Sequence, residues 1–199
     1  IWDKDEMSLF IDLGTNGELV FGNRDFLMSC ACSAGPAFEG GDISCGMRAT
    51  DGAIEACVID KESMEPTLTI VGESGQKPVG ICGSGIIDLL AQMRLNGWID
   101  MAGTLEPSAS ERIIYLPEEK EYAAVYATAD QSATVTPLYF SQTDIHQYLD
   151  TKAAAYTMVD SLLETAGIAP DVLEKVYLSG AFAAHSDLGS AITIGIFPD

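Results

Sequence analysis

Two short apolar stretches flank the turn Asp12-Leu13-Gly14-Thr15-Asn16-Gly17, and this pairing constrains the chain more than any other feature. Residues 8–13, Ser-Leu-Phe-Ile-Asp-Leu, read as a central strand that stops at Gly14. Glu18-Leu19-Val20-Phe21 forms the second strand, Gly22-Asn23-Arg24-Asp25 a tight turn, and Phe26-Leu27-Met28-Ser29-Cys30 the third. The pattern predicts an antiparallel meander. Further on, Ala53 to Ile59 and Thr67 to Val71 read as strands, and Val176-Tyr177-Leu178-Ser179 as a last buried one.

Helical patterns separate these strands, so the expected class is α/β. Gly83-Ser84-Gly85 opens a helix through Asn96, in which Ile86, Ile87, Leu89, Leu90, Met93 and Leu95 give a broad apolar face and Gly97 a stop. The longest helix is predicted from about Gln142 to Ala166, with Ser141 or Thr143 as N-cap and Gly167 after its last turn. Ile145, Leu149, Ala153, Tyr156, Val159 and Leu163 recur along it at spacings that make one buried stripe. A short helix is expected near Asp187 to Ile192. Residues 35–48 hold four glycines and a proline, which suits a loop with a short helical turn. From about 100 to 137 the pattern weakens, and short strands at 112–115 and 122–125 suggest a peripheral insertion. Trp2 and Trp98 read as packing residues.

Composition narrows the function. Thirty acidic against ten basic side chains give a net charge of −20. Such a chain repels a phosphate backbone or an anionic lipid surface, which argues against nucleic acid and membrane as partners; ordinary solubility also explains the acidity. No apolar run is long enough for a membrane-spanning helix, the first residues do not form a signal peptide, and a cytoplasmic location is expected. The five cysteines, Cys30, Cys32, Cys45, Cys57 and Cys82, show neither a disulfide ladder nor a CxxC pair and read as reduced, mostly buried thiols. The chain begins without Met and ends on an apolar run with no polar tail, so both ends read as cuts in a longer protein.

Three segments are candidates for chemistry. Gly14 and Gly17 permit backbone conformations in which successive amide groups point at an anion, with Thr15 and Asn16 adding polar contacts. Asp12, at the strand end, is placed to hold Mg²⁺ through water. A plain hairpin whose Asp caps its own backbone is the competing reading of this turn. Gly83, Ser84 and Gly85 begin a helix, an arrangement that presents free N–H groups to a phosphate. Gly180 and Ala181, small residues after the Val176 strand, would let a flat ring approach the backbone. In the Gly-rich loop, Glu39, Asp42 and Arg48 could form an ion pair, and Cys45 is read as packing ahead of redox contact. His146 and His185 are read as structural.

Taken in order, these segments resemble the second half of the acetate and sugar kinase, heat-shock chaperone and actin superfamily. A narrower resemblance rests on residues 12–20 (Asp-Leu-Gly-Thr-Asn-Gly-Glu-Leu-Val), 34–40 (Ala-Gly-Pro-Ala-Phe-Glu-Gly), 43–49 (Ile-Ser-Cys-Gly-Met-Arg-Ala), 80–85 (Gly-Ile-Cys-Gly-Ser-Gly) and 177–182 (Tyr-Leu-Ser-Gly-Ala-Phe). These look like the carboxy-terminal ATPase domain of reductive activators of corrinoid proteins, as do 142–145, 151–154 and 194–198. The likeness covers most of the chain outside about 100–137. One departure is Ala183, where relatives often carry Gly.

The resemblance implies a ribonuclease H-like, actin-like lobe over residues 1–199, with a mixed sheet flanked by helices and an irregular insertion. The first three strands would be antiparallel and the Val176 strand would pair parallel near the first. It also implies ATP-driven return of a corrinoid protein from cob(II)amide to cob(I)amide, with electrons entering through a 2Fe-2S cluster in an amino-terminal domain not contained in this sequence. Within the chain, Asp12 would serve the metal and its waters, residues 14–17 and 83–85 the phosphates, and Gly180 and Ala181 the adenosine. The first phosphate loop of the superfamily would lie in a preceding lobe, so the expected site is one jaw of a cleft. Rival expectations are a docking or homodimerisation module for a corrinoid protein, and an activator of a 2-hydroxyacyl-CoA dehydratase.

Overall fold

The period-two alternation of the amino-terminal strands decides which face of their sheet is buried. β1 (Ser8–Leu13) buries Leu9, Ile11 and Leu13, and β2 (Asn16–Gly22) buries Gly17, Leu19 and Phe21. The computed structural model describes residues 1–33 and 35–196, apart from the side chains of Cys32, Ala181, Phe182 and Ala183. β2 pairs antiparallel with β1 and with β3 (Leu27–Ser33), while β10 (Lys175–Ser179) runs parallel to β1. The order β10-β1-β2-β3 is the expected mixed sheet with β1 at its centre.

A second sheet has the order β5-β4-β6, from β4 (Ala53–Ile59), β5 (Pro66–Ile70) and β6 (Gly80–Ile81). Helix α1 (Gly83–Leu95) packs along β4 and buries Ile86, Ile87, Leu89, Leu90 and Met93. Leu95, expected on that face, is 63% exposed, because it lies in the last turn beyond the inward stripe. A third sheet orders β7 (Ile113–Leu116), β8 (Glu121–Ala127) and β9 (Leu138–Ser141) as β7-β8-β9. The stretch expected at the periphery thus supplies Leu105, Ile113, Ala124, Tyr126 and Ala127 to the hydrophobic core. Its alanines leave room for β8 to sit deep, which a weak hydrophobic pattern conceals. The Arg112 guanidinium pairs with Glu65 and ties this sheet to the β4–β5 connection.

Helix α2 (Gln142–Ala166) has the predicted bounds. Its start is a capping box in which the Ser141 hydroxyl accepts from the Asp144 amide and the Asp144 carboxylate from the Ser141 amide, and Gly167 closes its end in the left-handed region. The buried stripe is rotated from the predicted one. Ile145 and Leu163 are buried as expected, but Tyr148, Thr151, Ala155, Met158 and Leu162 point inward, and Tyr156 is 68% exposed. Two overlapping stripes exist in this sequence, and docking of the helix on β3 and the Phe38 turn selects one. After β10 come α3 (Gly180–His185) and α4 (Leu188–Thr193), the latter capped by Asp187.

Trp98 is fully buried, whereas Trp2, expected to pack as well, is 76% exposed. Cys57 and Cys82 are buried and Cys30 and Cys45 half-buried. Among the described residues no helix is long and apolar enough to cross a membrane.

Candidate functional site

The hairpin between β1 and β2 is tighter than its glycines suggest. The Gly14 amide donates to the Asn16 carbonyl at 2.9 Å, so it is committed within the turn rather than free for an anion. Gly17 is buried and pairs across from Leu13, while the side chains of Thr15 and Asn16 are exposed. Neither Gly14 nor Gly17 has a positive φ, so neither takes a backbone conformation closed to other residues. At Gly14 the constraint is space instead, since a Cβ there would stand 3.1 Å from Glu39 Oε1.

Glu39 therefore joins the turn. It ends the 3₁₀ turn Pro36–Glu39, and its Oε2 accepts from the Thr15 hydroxyl at 2.8 Å. The Gly35 amide adds a bond to the Thr15 carbonyl at 3.0 Å. Among the described residues Glu39 and Asp42 form no ion pair with Arg48, which overturns the expected pairing within the loop. The contact across 24 residues could not be read from local spacing.

Asp12 stands opposite Ser179 in the β1–β10 register, and the chain turns at Gly180 with φ +88. A Cβ at Gly180 would overlap Asp12 Oδ1. Glycine there permits both the left-handed turn and the approach of the carboxylate to the start of α3. The structure so brings Asp12 and Gly180 together. The side chain of Ala181, expected beside the adenosine, lies outside the described part, as do the Ala183 side chain, Ala34 and the Phe197-Pro198 end of the last resembling motif.

An open cavity of about 300 Å³ adjoins these elements and is lined by Glu39, Arg48, Cys82, Gly83, Ser84 and His185 among others. Ser84 lies in the first turn of α1, whose N-cap Cys82 makes no side-chain cap to the helix amides and whose first turn carries no acidic residue. Gly83 lines the cavity, but its lack of a side chain is set by packing, since a Cβ would overlap the Phe38 carbonyl oxygen. Gly85 is buried against the Ile54 carbonyl and faces β4 rather than the cavity. His185, read as structural from sequence, is exposed and lines the cavity from the end of α3. His146 instead meets the Gln142 amide nitrogen at 3.1 Å.

Elsewhere, burial pushes the Cys45 thiol up, with the Asp144 carboxylate adding to the effect, which disfavours a reactive thiolate there. Burial, with Asp88 nearby, pushes Cys57 up to about 12. Among the described residues no group of three or more His, Cys, Asp and Glu is placed to hold a metal ion directly.

A family model described as the C-terminal domain of RACo, the ASKHA domain, matches residues 6–199. The chain belongs to this family. It is 33% identical to the corrinoid activation enzyme RamQ of Eubacterium limosum over 97% of the chain and 33% of that protein. It is 28% identical to the Co(II) methylated amine-specific corrinoid protein reductase of Methanosarcina barkeri over 97% of the chain and 35% of that protein. A solved structure of a reductive activator for corrinoid, iron-sulfur protein superposes on 98% of the chain with a TM-score of 0.89 and 41% identity, covering 31% of that protein. The chain thus spans about a third of the length of these relatives. The actin-like fold inferred for an ASKHA lobe is the one observed.

Proposed function

We propose that this chain is the nucleotide-binding lobe of an ATP-dependent activator that returns a corrinoid protein from cob(II)amide to cob(I)amide in the cytoplasm. The reading is carried by one open cavity lined by Glu39, which holds Thr15 of the Asp12 hairpin, by Gly83 and Ser84 at the α1 start, and by His185 at the end of α3, the helix whose first residue, Gly180, lies against Asp12. The relatives named for corrinoid activation supply the partner class.

The residues present fit a magnesium–nucleotide group. The α1 first turn offers amides and carries no acidic residue of its own, and Ser84 would add a hydroxyl to the phosphates. Asp12 lies against Gly180 and would hold Mg²⁺ through water, as suits a cation that keeps much of its hydration. When bound, the nucleotide supplies the free energy of phosphoanhydride cleavage. The chain's residues act by orientation and charge placement rather than by covalent chemistry. An open cavity suits a site that a preceding lobe would close. The electron for cobalt would come from a 2Fe-2S domain elsewhere in the protein.

The test is Asp12→Ala in the complete activator. ATP-dependent formation of cob(I)amide, followed by its visible absorbance, is expected to fall below detection, while the protein stays folded by circular dichroism. Activation at the unaltered rate would remove Asp12 from the site.

A further inference from the structure

The cavity assigned to an anionic ligand carries a carboxylate on its wall. Glu39 Oε2 holds the Thr15 hydroxyl at 2.8 Å, and Oε1 stands over Gly14. Among the described residues Glu39 has no cation within ion-pair distance, in a chain of net charge −20. Its backbone has little room to retreat. The preceding Phe38 is fully buried with its ring edge-on to Tyr148 at 5.4 Å, and its carbonyl abuts Gly83; the Gly40 amide closes the turn onto the Ala37 carbonyl.

This placement has two consequences for a polyphosphate arriving at the turn. Free of metal, it meets an unneutralised carboxylate and a Thr15 hydroxyl already spent on Glu39. As a magnesium complex, it brings positive charge and bound waters, so Glu39 can accept from a water of the cation's shell and release the Thr15 hydroxyl to a phosphate oxygen. We propose that Glu39 is a positioning residue that makes this site selective for the Mg²⁺ complex of the nucleotide over the free nucleotide, with Thr15 as the hydroxyl it holds and releases. The proposal rests on the nucleotide-binding reading above and adds a discriminating role for a residue that does no bond chemistry itself.

The experiment is calorimetric titration of the complete protein with a non-hydrolysable ATP analogue, once in excess Mg²⁺ and once in EDTA. The unaltered protein is expected to bind about tenfold or more weakly in EDTA, the scale of one close charge interaction at a protein surface. In Glu39→Gln, which keeps an oxygen acceptor for Thr15, affinity in EDTA should rise and the ratio between the two conditions should shrink by about threefold or more, the remaining dependence coming from Asp12. Glu39→Asp retains the charge and should keep the metal dependence, and circular dichroism checks that each variant is folded. Thr15→Val should weaken binding in Mg²⁺ and change it little in EDTA, so the ratio narrows, while the Glu39 charge keeps binding in Mg²⁺ the tighter of the two. A Glu39→Gln protein with the unaltered ratio overturns the role of Glu39 alone. Equal binding by the unaltered protein in both conditions overturns the selectivity. No binding even in Mg²⁺ overturns the nucleotide reading, and this proposal with it.

Discussion

A Gly83→Ala variant is expected to lose about 3 kcal/mol of stability, the upper part of the range for overpacking a well-filled interior. Gly83 is buried at the start of α1, where an added methyl would overlap the Phe38 carbonyl oxygen. Backbone yields less readily than a flexible side chain, so either α1 or the 3₁₀ turn has to move. Both form walls of the cavity, and nucleotide affinity should fall alongside stability. Chemical unfolding measures the loss. Gly97→Ala is the control: Gly97 has φ +72 but no neighbour against its Cβ position, so only about 1 kcal/mol of backbone strain is expected. Equal losses in the two variants would show that the close approach at Gly83 is not tight.

Asp144→Ala should cost a similar amount, about 3 kcal/mol, for a different reason. The carboxylate is 4% exposed and accepts from two backbone amides, Ser141 and Ser44, each at 2.8 Å. Removing it leaves two donors without their acceptor and breaks the capping box of α2. The Ser44 bond also anchors the Gly-rich loop where the Gly46 backbone bridges to Ile81, upstream of Arg48 on the cavity wall. Hydrogen exchange at Ser44 and Ser141 should therefore quicken beyond the general rise. Asp144→Asn keeps one oxygen acceptor and should lose less. An unchanged unfolding midpoint for Asp144→Ala would show that water replaces the carboxylate at both amides.

Much of the fold was legible because its signals are local. Alternation in β1 and β2 announced the meander, and Gly167 with a choice of Ser141 or Thr143 as N-cap bounded α2, of which the structure uses Ser141. The site was only partly legible. Asp12, Thr15, Gly83, Ser84 and Gly180 were singled out, and they come together in two contiguous clusters linked through Glu39 and α3. At Gly85 the close approach of the Ile54 carbonyl by itself requires glycine, and a glycine required by a neighbouring strand looks the same in sequence as one required by a ligand. Glu39 was seen as a partner for Arg48, the nearest opposite charge in the loop, and His185 was set aside for want of a neighbour. In each case the missing information was the position of a second segment far along the chain.

The amino-acid sequence by itself determined the strand and helix periods, the caps and the family-specific turns, because each depends on residues within a few positions of one another. Tertiary structure alone decided which of two stripes on α2 is buried, that β8 enters the core, and that the turn at Asp12 to Gly17 is tied by Thr15 to Glu39. Those outcomes depend on which surfaces fit when distant elements dock, and steric fit between them leaves no local pattern to read.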